Sequence, residues 1–187
     1  PPTHTVASSS DPAGPADHVP VLLNEVIAAL LGMESPAALN QQGSRILVDG
    51  TFGRGGHSRH LLQRLSASDR LLAIDRDPDA TSAANLIAAK DQRFTFMQAR
   101  FSELGRVLAQ GGIEHVDGLL LDLGVSSSQL DRADRGFSFN ADGPLDMRMS
   151  KKGIKAFDVI NNYSAEKLSN IFYNFGDEIF SRRIAHN

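Results

Sequence analysis

Four short apolar runs separated by helical patterns constrain the fold of this chain more than any other feature. They recur about every 20–25 residues, which is the spacing that βαβ units require. The segments between them carry helix-start signals, such as Asp77 before Pro78 and Ser102 before Glu103. Strands that alternate with helices predict a parallel sheet covered on both faces. The runs are RILVD (45–49), LLAID (71–75), FTFMQ (94–98) and DGLLLDL (117–123).

The segments outside this alternation differ in composition. Residues 1–17 are rich in Pro, Ser and Ala and are predicted to form a disordered leader, so the folded part is expected to begin at His18. Apolar residues at helical spacing predict a helix over 21–31 that Gly32 ends, and a polar linker follows at 34–44. The strand pattern stops after residue 123, and helical periodicity returns from Ser164.

We therefore divide the chain into a leader (1–17), an α/β domain (18–125) and an irregular, then helical, region (126–187). The charge also shifts near residue 150, because residues 151–187 carry six Lys and Arg against four Asp and Glu, whereas the whole chain has a net charge of −3. Such a shift can mark a subdomain boundary, although chance variation over a short window is the alternative.

Composition excludes several classes of protein. The 187 residues are 41% hydrophobic, and no apolar run approaches the roughly 20 residues of a membrane span. The chain has no cysteine, which excludes disulfides, thiolate metal sites and cysteine nucleophiles, and no metal site is predicted. No secretory signal is visible, so a cytoplasmic location is expected.

A glycine-rich segment, DGTFGRGGHS, joins the first predicted strand to the helix that follows. Such a turn lets the backbone approach a ligand closely and directs helix N-terminal amides toward it. A nucleoside triphosphate is excluded, because His57 and Ser58 follow Gly56 where a P-loop carries Lys and Ser or Thr. The glycines also lack the G-x-G-x-x-G spacing of a dinucleotide fingerprint.

Three carboxylates stand at the ends of predicted strands. Asp49 ends the first strand, Asp75 the second and Asp122 the fourth, so all three are expected at the carboxyl edge of the sheet. Asp49 would repel a pyrophosphate, whereas Asp75 could accept both hydroxyls of an adenosine ribose, as in NAD enzymes. A cationic adenosyl ligand without phosphate, S-adenosylmethionine, fits this pattern. Aspartates that merely cap helices are the alternative.

Longer motifs resemble those of one known family. The segments DGTFGRGGHS, IDRDPDA, LLLDLGVSSSQLDRADRGFSF and GPLDMRM closely resemble the bacterial 16S ribosomal RNA cytosine-N4 methyltransferases, and HVPVLLNEVI resembles their N-terminal signature. The resemblance runs from His18 to about Asn187. It implies a Rossmann-like class I methyltransferase sheet, S-adenosylmethionine as methyl donor, and methylation of a decoding-centre cytidine in 16S rRNA of the small ribosomal subunit.

The resemblance also implies a set of cofactor contacts, to which we add Asp49 and Gly53 because they belong to the same acidic loop. His57 could be a base near the site or a loop residue held by its backbone. The residues that match the family contacts are Gly55, Gly56, His57, Asp75, Phe101, Asp122 and Gln129.

The chain departs from the family in length. Family members are longer, carry further strands and a helical domain inserted after the fourth strand, and have a His-Ser-Leu-Glu motif that is missing here. This chain is therefore expected to hold the N-terminal half of the sheet and part of the insertion. A half-sheet leaves an unpaired edge, so self-association through that edge is predicted.

Asp122 is the predicted catalytic residue. The amino lone pair of cytosine is delocalised into the ring, so acceptors must hold its N–H bonds, and Asp122 with the carbonyls of Leu123 and Gly124 could supply them. The alternative is that Asp122 contacts only the cofactor. Related enzymes place two prolines and an aromatic residue after this acid, whereas this chain has Leu-Gly-Val. The absence of cysteine argues against methylation at C5 and favours N- or O-methylation.

Arg132, Arg135 and Arg148 are the predicted RNA contacts, and Phe137 and Phe139 are candidates for base stacking. The alternative is that interleaved aspartates pair with these arginines, and that both phenylalanines belong to a buried extended segment.

Two other functions stay open at this point. An NAD-dependent oxidoreductase could use a similar sheet and the same ribose-binding acid. A non-catalytic RNA-binding fragment is the second alternative, which the shorter chain favours.

Overall fold

The computed structural model describes residues 20–32 and 44–187. The predicted leader, the expected start at His18 and nearly all of the predicted linker lie outside these residues. The described chain forms one four-stranded sheet in the order β3-β2-β1-β4, with every neighbouring pair parallel. This confirms the predicted parallel sheet. The strands are β1 (Ile46–Asp49), β2 (Arg70–Asp75), β3 (Phe94–Gln98) and β4 (Gly118–Leu120).

Eight α-helices accompany the sheet within the described ranges, and short 3₁₀ turns occur at Phe101–Glu103 and Ala133–Arg135. No helix in those ranges is long and apolar enough to cross a membrane. The helices are α1 (Leu23–Leu31), α2 (Gly56–Leu62), α3 (Ala80–Ala88), α4 (Leu104–Gln110), α5 (Ser127–Leu130), α6 (Ala156–Asn162), α7 (Ala165–Gly176) and α8 (Ser181–His186).

Helices cover both faces of the sheet, as predicted. On one face Leu47, Leu71 and Phe94 pack with residues of α1, α2 and α3. On the other face Val48 and Ile74 form a second cluster, to which α4 contributes. Successive strand residues point to opposite faces, so each buried strand is apolar on both sides and reads as a continuous apolar run.

Three strand predictions agree with the structure to within one residue, but the fourth was too long. It was predicted to reach residue 123, whereas β4 ends at Leu120. The last pair in its ladder joins Leu120 to Asp49, where β1 ends. Beyond that pair β4 has no partner strand, and the amide of Asp122 donates instead to Thr51 Oγ1 at 2.7 Å. Asp122 therefore follows the strand by two residues and does not close it.

The predicted helix-end signals act largely as expected. Gly32 ends α1 in the left-handed conformation, with φ of 66°. The hydroxyl of Ser164 accepts a hydrogen bond from the amide of Lys167 and caps α7. The helix that Asp77 and Pro78 were expected to open begins two residues later than Pro78, since Pro78 and Asp79 form a turn before α3. Residues 124–187 contain short helices and irregular loops without a strand, as the sequence predicted.

Two glycines in the loop between β1 and α2 are needed by the protein's own packing. Gly55 has a φ of 78°, and a Cβ there would lie 2.6 Å from the ring of Phe52. At Gly56 a Cβ would lie 2.6 Å from Cγ of Pro20. The loop thus needs glycine for close contact with its own neighbours as well as for any ligand.

Replacement of Gly55 tests this packing. Gly55→Ala combines the strain of a left-handed alanine, about 1–2 kcal/mol, with a clash against an aromatic ring, about 1–3 kcal/mol. We expect the free energy of unfolding to fall by about 2–4 kcal/mol in urea denaturation. The control is Gly112→Ala, where φ is 64° and no atom lies within 4 Å of the added Cβ. Equal losses for the two variants would contradict the packing role.

Candidate functional site

The carboxyl edge of the sheet carries two of the predicted acids, of which Asp49 is buried and Asp75 is half-buried. Asp49 and Asp75 are the last residues of β1 and β2, and these strands are neighbours in the sheet. The loop that contains Gly53, Gly55 and Gly56 leaves the same edge. Parallel strands therefore bring both predicted acids and the glycine loop together, at the edge where open α/β sheets bind ligands.

Asp49 is almost completely buried, with 1% of its surface exposed. Ser58 Oγ donates to one carboxylate oxygen at 2.6 Å, and the amide of Thr51 donates to the other at 3.2 Å. Burial raises the pKa of Asp49, while these hydrogen bonds and the neighbouring His57 act to lower it. The site thus keeps a poorly solvated carboxyl group beneath the loop, and a bound cation would favour its charged form.

Asp75 holds the loop to the sheet. Its Oδ2 accepts from the amide of Gly53 at 2.7 Å, and its Oδ1 accepts from the amide of Asp77 at 2.8 Å. Burial raises the pKa of Asp75, partly offset by these two backbone hydrogen bonds. Each oxygen uses one lone pair in this way, so each retains an acceptor position for a ligand hydroxyl.

The ring of His57 bonds to the segment that precedes α1. Its Nε2 donates to the carbonyl oxygen of Val21 at 3.0 Å, and 8% of the residue is exposed. Of the two roles considered from the sequence, a base at the site or a residue held in the loop, the geometry favours the second.

The other predicted contacts differ in exposure. Phe101 follows β3 and is 46% exposed. The side chain of Asp122 makes no hydrogen bond within the described part of the chain, and the residue is exposed. Gln129 is buried at the start of the helical region, where its Nε2 donates to Asp77 Oδ2 at 2.8 Å and its Oε1 accepts from the amide of Ser126.

A cleft of about 260 Å³ opens beside this edge. Its lining includes Arg76, directly after Asp75, and Arg100, directly before Phe101. The cleft therefore adjoins the ends of β2 and β3. Nε of Arg76 is buried there without a hydrogen-bond partner in the structure. No cluster of three His, Asp or Glu side chains among the described residues could hold a metal ion. The cleft is lined by Arg76, Gln98, Ala99, Arg100, Glu103, Ser150 and Lys152.

The three arginines predicted to contact RNA are all paired with carboxylates. Arg135 is 3% exposed and bonds to Asp77 and Asp79, so its guanidinium is not available to RNA in this structure. Arg148 forms a bidentate pair with Asp146. The side chain of Arg132 is 46% exposed, although it pairs with Asp134 and Asp79. Among them, Arg132 presents the most surface.

Sequence reasoning missed Asp77 and Asp79 as parts of the site. Asp77 was considered only as a helix-start residue and Asp79 was not singled out, and their arginine partner lies more than fifty residues away. A signal was present in the segment IDRDPDA, where three acids occupy alternate positions beyond an apolar strand. Repulsion between such acids requires cations from elsewhere in the fold.

The sheet order, the glycine loop and the acids at the carboxyl edge define the class of protein, a Rossmann-like α/β fold of the kind that binds ligands at that edge. Sequence comparison then identifies the family. Residues 15–187 match the MraW methylase family, and the chain belongs to it.

Curated relatives carry the name ribosomal RNA small subunit methyltransferase H. The chain is 49% identical over 174 residues to the protein of Methylobacterium sp. (strain 4-46) and 47% identical over 172 residues to that of Maricaulis maris. Each match covers 91% of this chain and 48% of the relative. The protein of Acinetobacter baumannii (strain ATCC 17978) is 44% identical over 169 residues, with 90% and 52% covered. The chain thus spans about half the length of the curated relatives it matches.

Replacement of Asp49 separates its charge from its hydrogen bonds. In Asp49→Asn the amide oxygen can still accept from Thr51, and the hydroxyl of Ser58 can rotate to accept from the amide nitrogen. We expect the affinity for S-adenosylmethionine, measured by calorimetry at pH 7.5, to fall about tenfold, which is about 1.4 kcal/mol. The free energy of unfolding should stay equal or rise, because a buried charge is removed.

The pH dependence gives this prediction a sign. Because the pKa of Asp49 is raised in the folded state, wild-type stability relative to Asp49→Asn should increase as the pH falls through that pKa. The matched control is Asp69→Asn, another 1% exposed aspartate. Burial acts to raise the pKa of Asp69, but its bonds to Arg45 lower it to about 2. Asp69→Asn should lose stability and keep its affinity for the cofactor. Loss of cofactor affinity without loss of stability in Asp69→Asn would contradict the assignment of Asp49 to the cofactor site.

Proposed function

We propose that this chain binds S-adenosylmethionine and methylates N4 of a cytidine in 16S ribosomal RNA of the small subunit. The observation that carries the proposal is the paired acids beneath the glycine loop: Asp49, which is buried, and Asp75, which bridges the loop to the sheet. Membership of the MraW methylase family and the name of the curated relatives support the reaction class.

The described residues fit the cofactor in three respects. Asp75 retains acceptor positions toward a ribose, as noted for its two oxygens. Asp49 provides negative charge where the methionine end carries a sulfonium and an ammonium group. The glycine loop offers no lysine for a pyrophosphate, and its one arginine, Arg54, faces Asp131 at 3.7 Å. This distribution favours a cationic adenosyl ligand over NAD.

Each end of the cofactor has candidate residues. The cleft beside Arg76 and Phe101 adjoins the carboxyl ends of β2 and β3, which suits the adenosine end. Gly53, Gly55 and Gly56 would surround the methionine end. Gln129 and His57 would act mainly by holding neighbouring segments, since their polar atoms already bond within the protein.

S-adenosylmethionine, when bound, supplies a sulfonium methyl group that cytosine N4 can attack as the carbon–sulfur bond breaks. The chain must then accept the amino proton. Asp122 is the candidate, because its carboxylate is exposed and uncommitted while Thr51 fixes its backbone at 2.7 Å. Positioning of the amine against the methyl group supplies much of the remaining rate enhancement.

RNA would approach over the segment that follows β4. Arg132 and the fully exposed Phe139 offer a cation and a stacking surface there. Arg148 presents less surface, since Asp146 and the carbonyl of Gly153 hold its guanidinium. A base within structured RNA must leave its stack to reach the cofactor.

The cofactor assignment is tested by titration with S-adenosylmethionine and with NAD. We expect saturable binding of the first and none of the second. Asp75→Ala should abolish cofactor binding and leave the affinity for 16S RNA near normal, because the RNA surface lies elsewhere. Saturable NAD binding without S-adenosylmethionine binding would establish the oxidoreductase alternative.

Asp117→Ala is a matched control for that variant. Asp117 also lies beside a strand and accepts a backbone amide across the sheet, from Ile46 at 2.7 Å, but at the opposite edge. It should lose some stability and keep cofactor affinity. If both variants lose affinity equally, the loss reflects general destabilisation of the sheet.

The methyl acceptor is tested by transfer of labelled methyl to small ribosomal subunits and to naked 16S RNA, followed by nucleoside mass spectrometry. We expect label in N4-methylcytidine and greatly reduced transfer by Asp122→Asn, which retains the shape but lacks the anionic acceptor. Label at C5 would contradict the chemistry. Tight RNA binding without any transfer by the wild type would favour a non-catalytic RNA-binding module.

A further inference from the structure

A buried group of polar side chains lies directly behind the proposed cofactor contacts. We name Asp77, Asp79, Gln129 and Arg135 the Asp77–Arg135 cluster. Asp77, Gln129 and Arg135 are each less than 5% exposed. Nη2 of Arg135 lies 2.8 Å from Asp77 Oδ2, and its Nη1 lies 2.6 Å from Asp79 Oδ2.

Asp77 connects this cluster to two predicted cofactor contacts. Its backbone amide donates to Asp75 Oδ1 at 2.8 Å, and its Oδ2 accepts from Gln129 Nε2 at the same distance. Asp75 and Gln129 therefore take their orientation from one residue. Arg135 fixes the carboxylate of that residue from the other side.

Arg135 also fixes the segment that carries the GPLDMRM motif. Its Nη2 donates to the carbonyl oxygens of Arg148 and Met149 at 3.1 and 3.0 Å, and its own carbonyl accepts from the amide of Met147. One guanidinium thus joins the β2–α3 turn to the region after residue 140. A planar guanidinium can hold two carboxylates and two carbonyls in fixed directions, which a lysine ammonium cannot do.

Stability alone gives little reason for such an arrangement. A buried ion pair costs desolvation that often equals its attraction, and apolar residues of similar volume would serve a purely structural role as well. Asp79 is partly exposed and has two further cations, Arg132 at 3.1 Å and Lys151 at 2.5 Å. The buried carboxylate of Asp77, in contrast, has Arg135 as its only cationic partner among the described residues.

We propose that Arg135 is a positioning residue of the cofactor site, which acts through Asp77 to set the orientation of Asp75 and Gln129. This inference rests on the proposed function, since it concerns the same S-adenosylmethionine site. It also assigns Arg135 a role other than RNA contact. The arginine that the sequence places in an RNA-binding segment serves the cofactor instead.

The test compares Arg135→Lys and Arg135→Gln with wild type in calorimetric titrations with S-adenosylmethionine, thermal unfolding and 16S RNA binding. We expect the Kd for the cofactor to rise at least tenfold in both variants, with RNA affinity within twofold of wild type. A cofactor Kd within twofold of wild type in folded Arg135→Lys would overturn the proposal. Loss of RNA affinity without change in cofactor Kd would overturn it in favour of the RNA role.

Arg93→Lys is the matched control for a structural arginine. Arg93 forms a bidentate pair with Asp91 and donates to the carbonyls of Leu62 and Leu65, but at the amino end of β3. Arg93→Lys should lower the unfolding temperature and leave the Kd for the cofactor within twofold of wild type. A rise in Kd equal to that of Arg135→Lys would mean that any lost arginine weakens the site.

The double variant Asp77→Asn with Arg135→Gln distinguishes a positioning role of Arg135 from a contribution to stability alone. It removes both buried charges together, so it should regain much of the unfolding temperature lost by Arg135→Gln. Its cofactor Kd should remain raised, because Asp75 and Gln129 stay without their support. Recovery of the Kd together with the unfolding temperature would show a merely structural role. A wild-type chain that does not bind S-adenosylmethionine would contradict the proposed cofactor itself.

Discussion

The carboxylate of Asp75 accepts two backbone hydrogen bonds, and the shape of the whole carboxyl edge depends on them. One comes from Gly53 in the glycine loop and the other from Asp77 in the turn that leads to α3. Burial raises the pKa of this acid, and the two amides offset part of that cost. A single side chain thus joins the end of β2 to both segments that a ligand at this edge would contact.

Much of the fold could be predicted from the sequence because it rests on local pattern. The apolar runs at 45–49, 71–75 and 94–98 are strands to within one residue. The first two are buried on both faces, and in the third the buried Phe94 and half-buried Phe96 alternate with the exposed Thr95. Gly32 and Ser164 end and begin helices as their chemistry requires. The end of β4 could not be predicted in this way. It is set by the last residue of β1, which is a property of the neighbouring strand.

In the candidate site, too, residues placed by local pattern were predicted and residues placed by distant partners were not. Asp49 and Asp75 are placed by their own strands, and the sequence therefore identified them. The role of Arg135 was not predictable, because its partners lie 56 and 58 residues earlier in the chain. Nearer aspartates made a local salt bridge the simpler expectation. The predicted cofactor contacts, the domain boundaries and self-association through the sheet edge stay predictions, whereas the family is established by comparison.

Two residues that precede α1 contact the glycine loop and bear on the energetics of binding. Pro20 packs against Gly56, and the carbonyl of Val21 accepts from the ring of His57. These contacts stabilise the conformation of the loop, and a loop that is ordered in advance loses less backbone entropy when a ligand binds. Pro20 and Val21 thereby support the glycine-rich turn from a separate part of the chain.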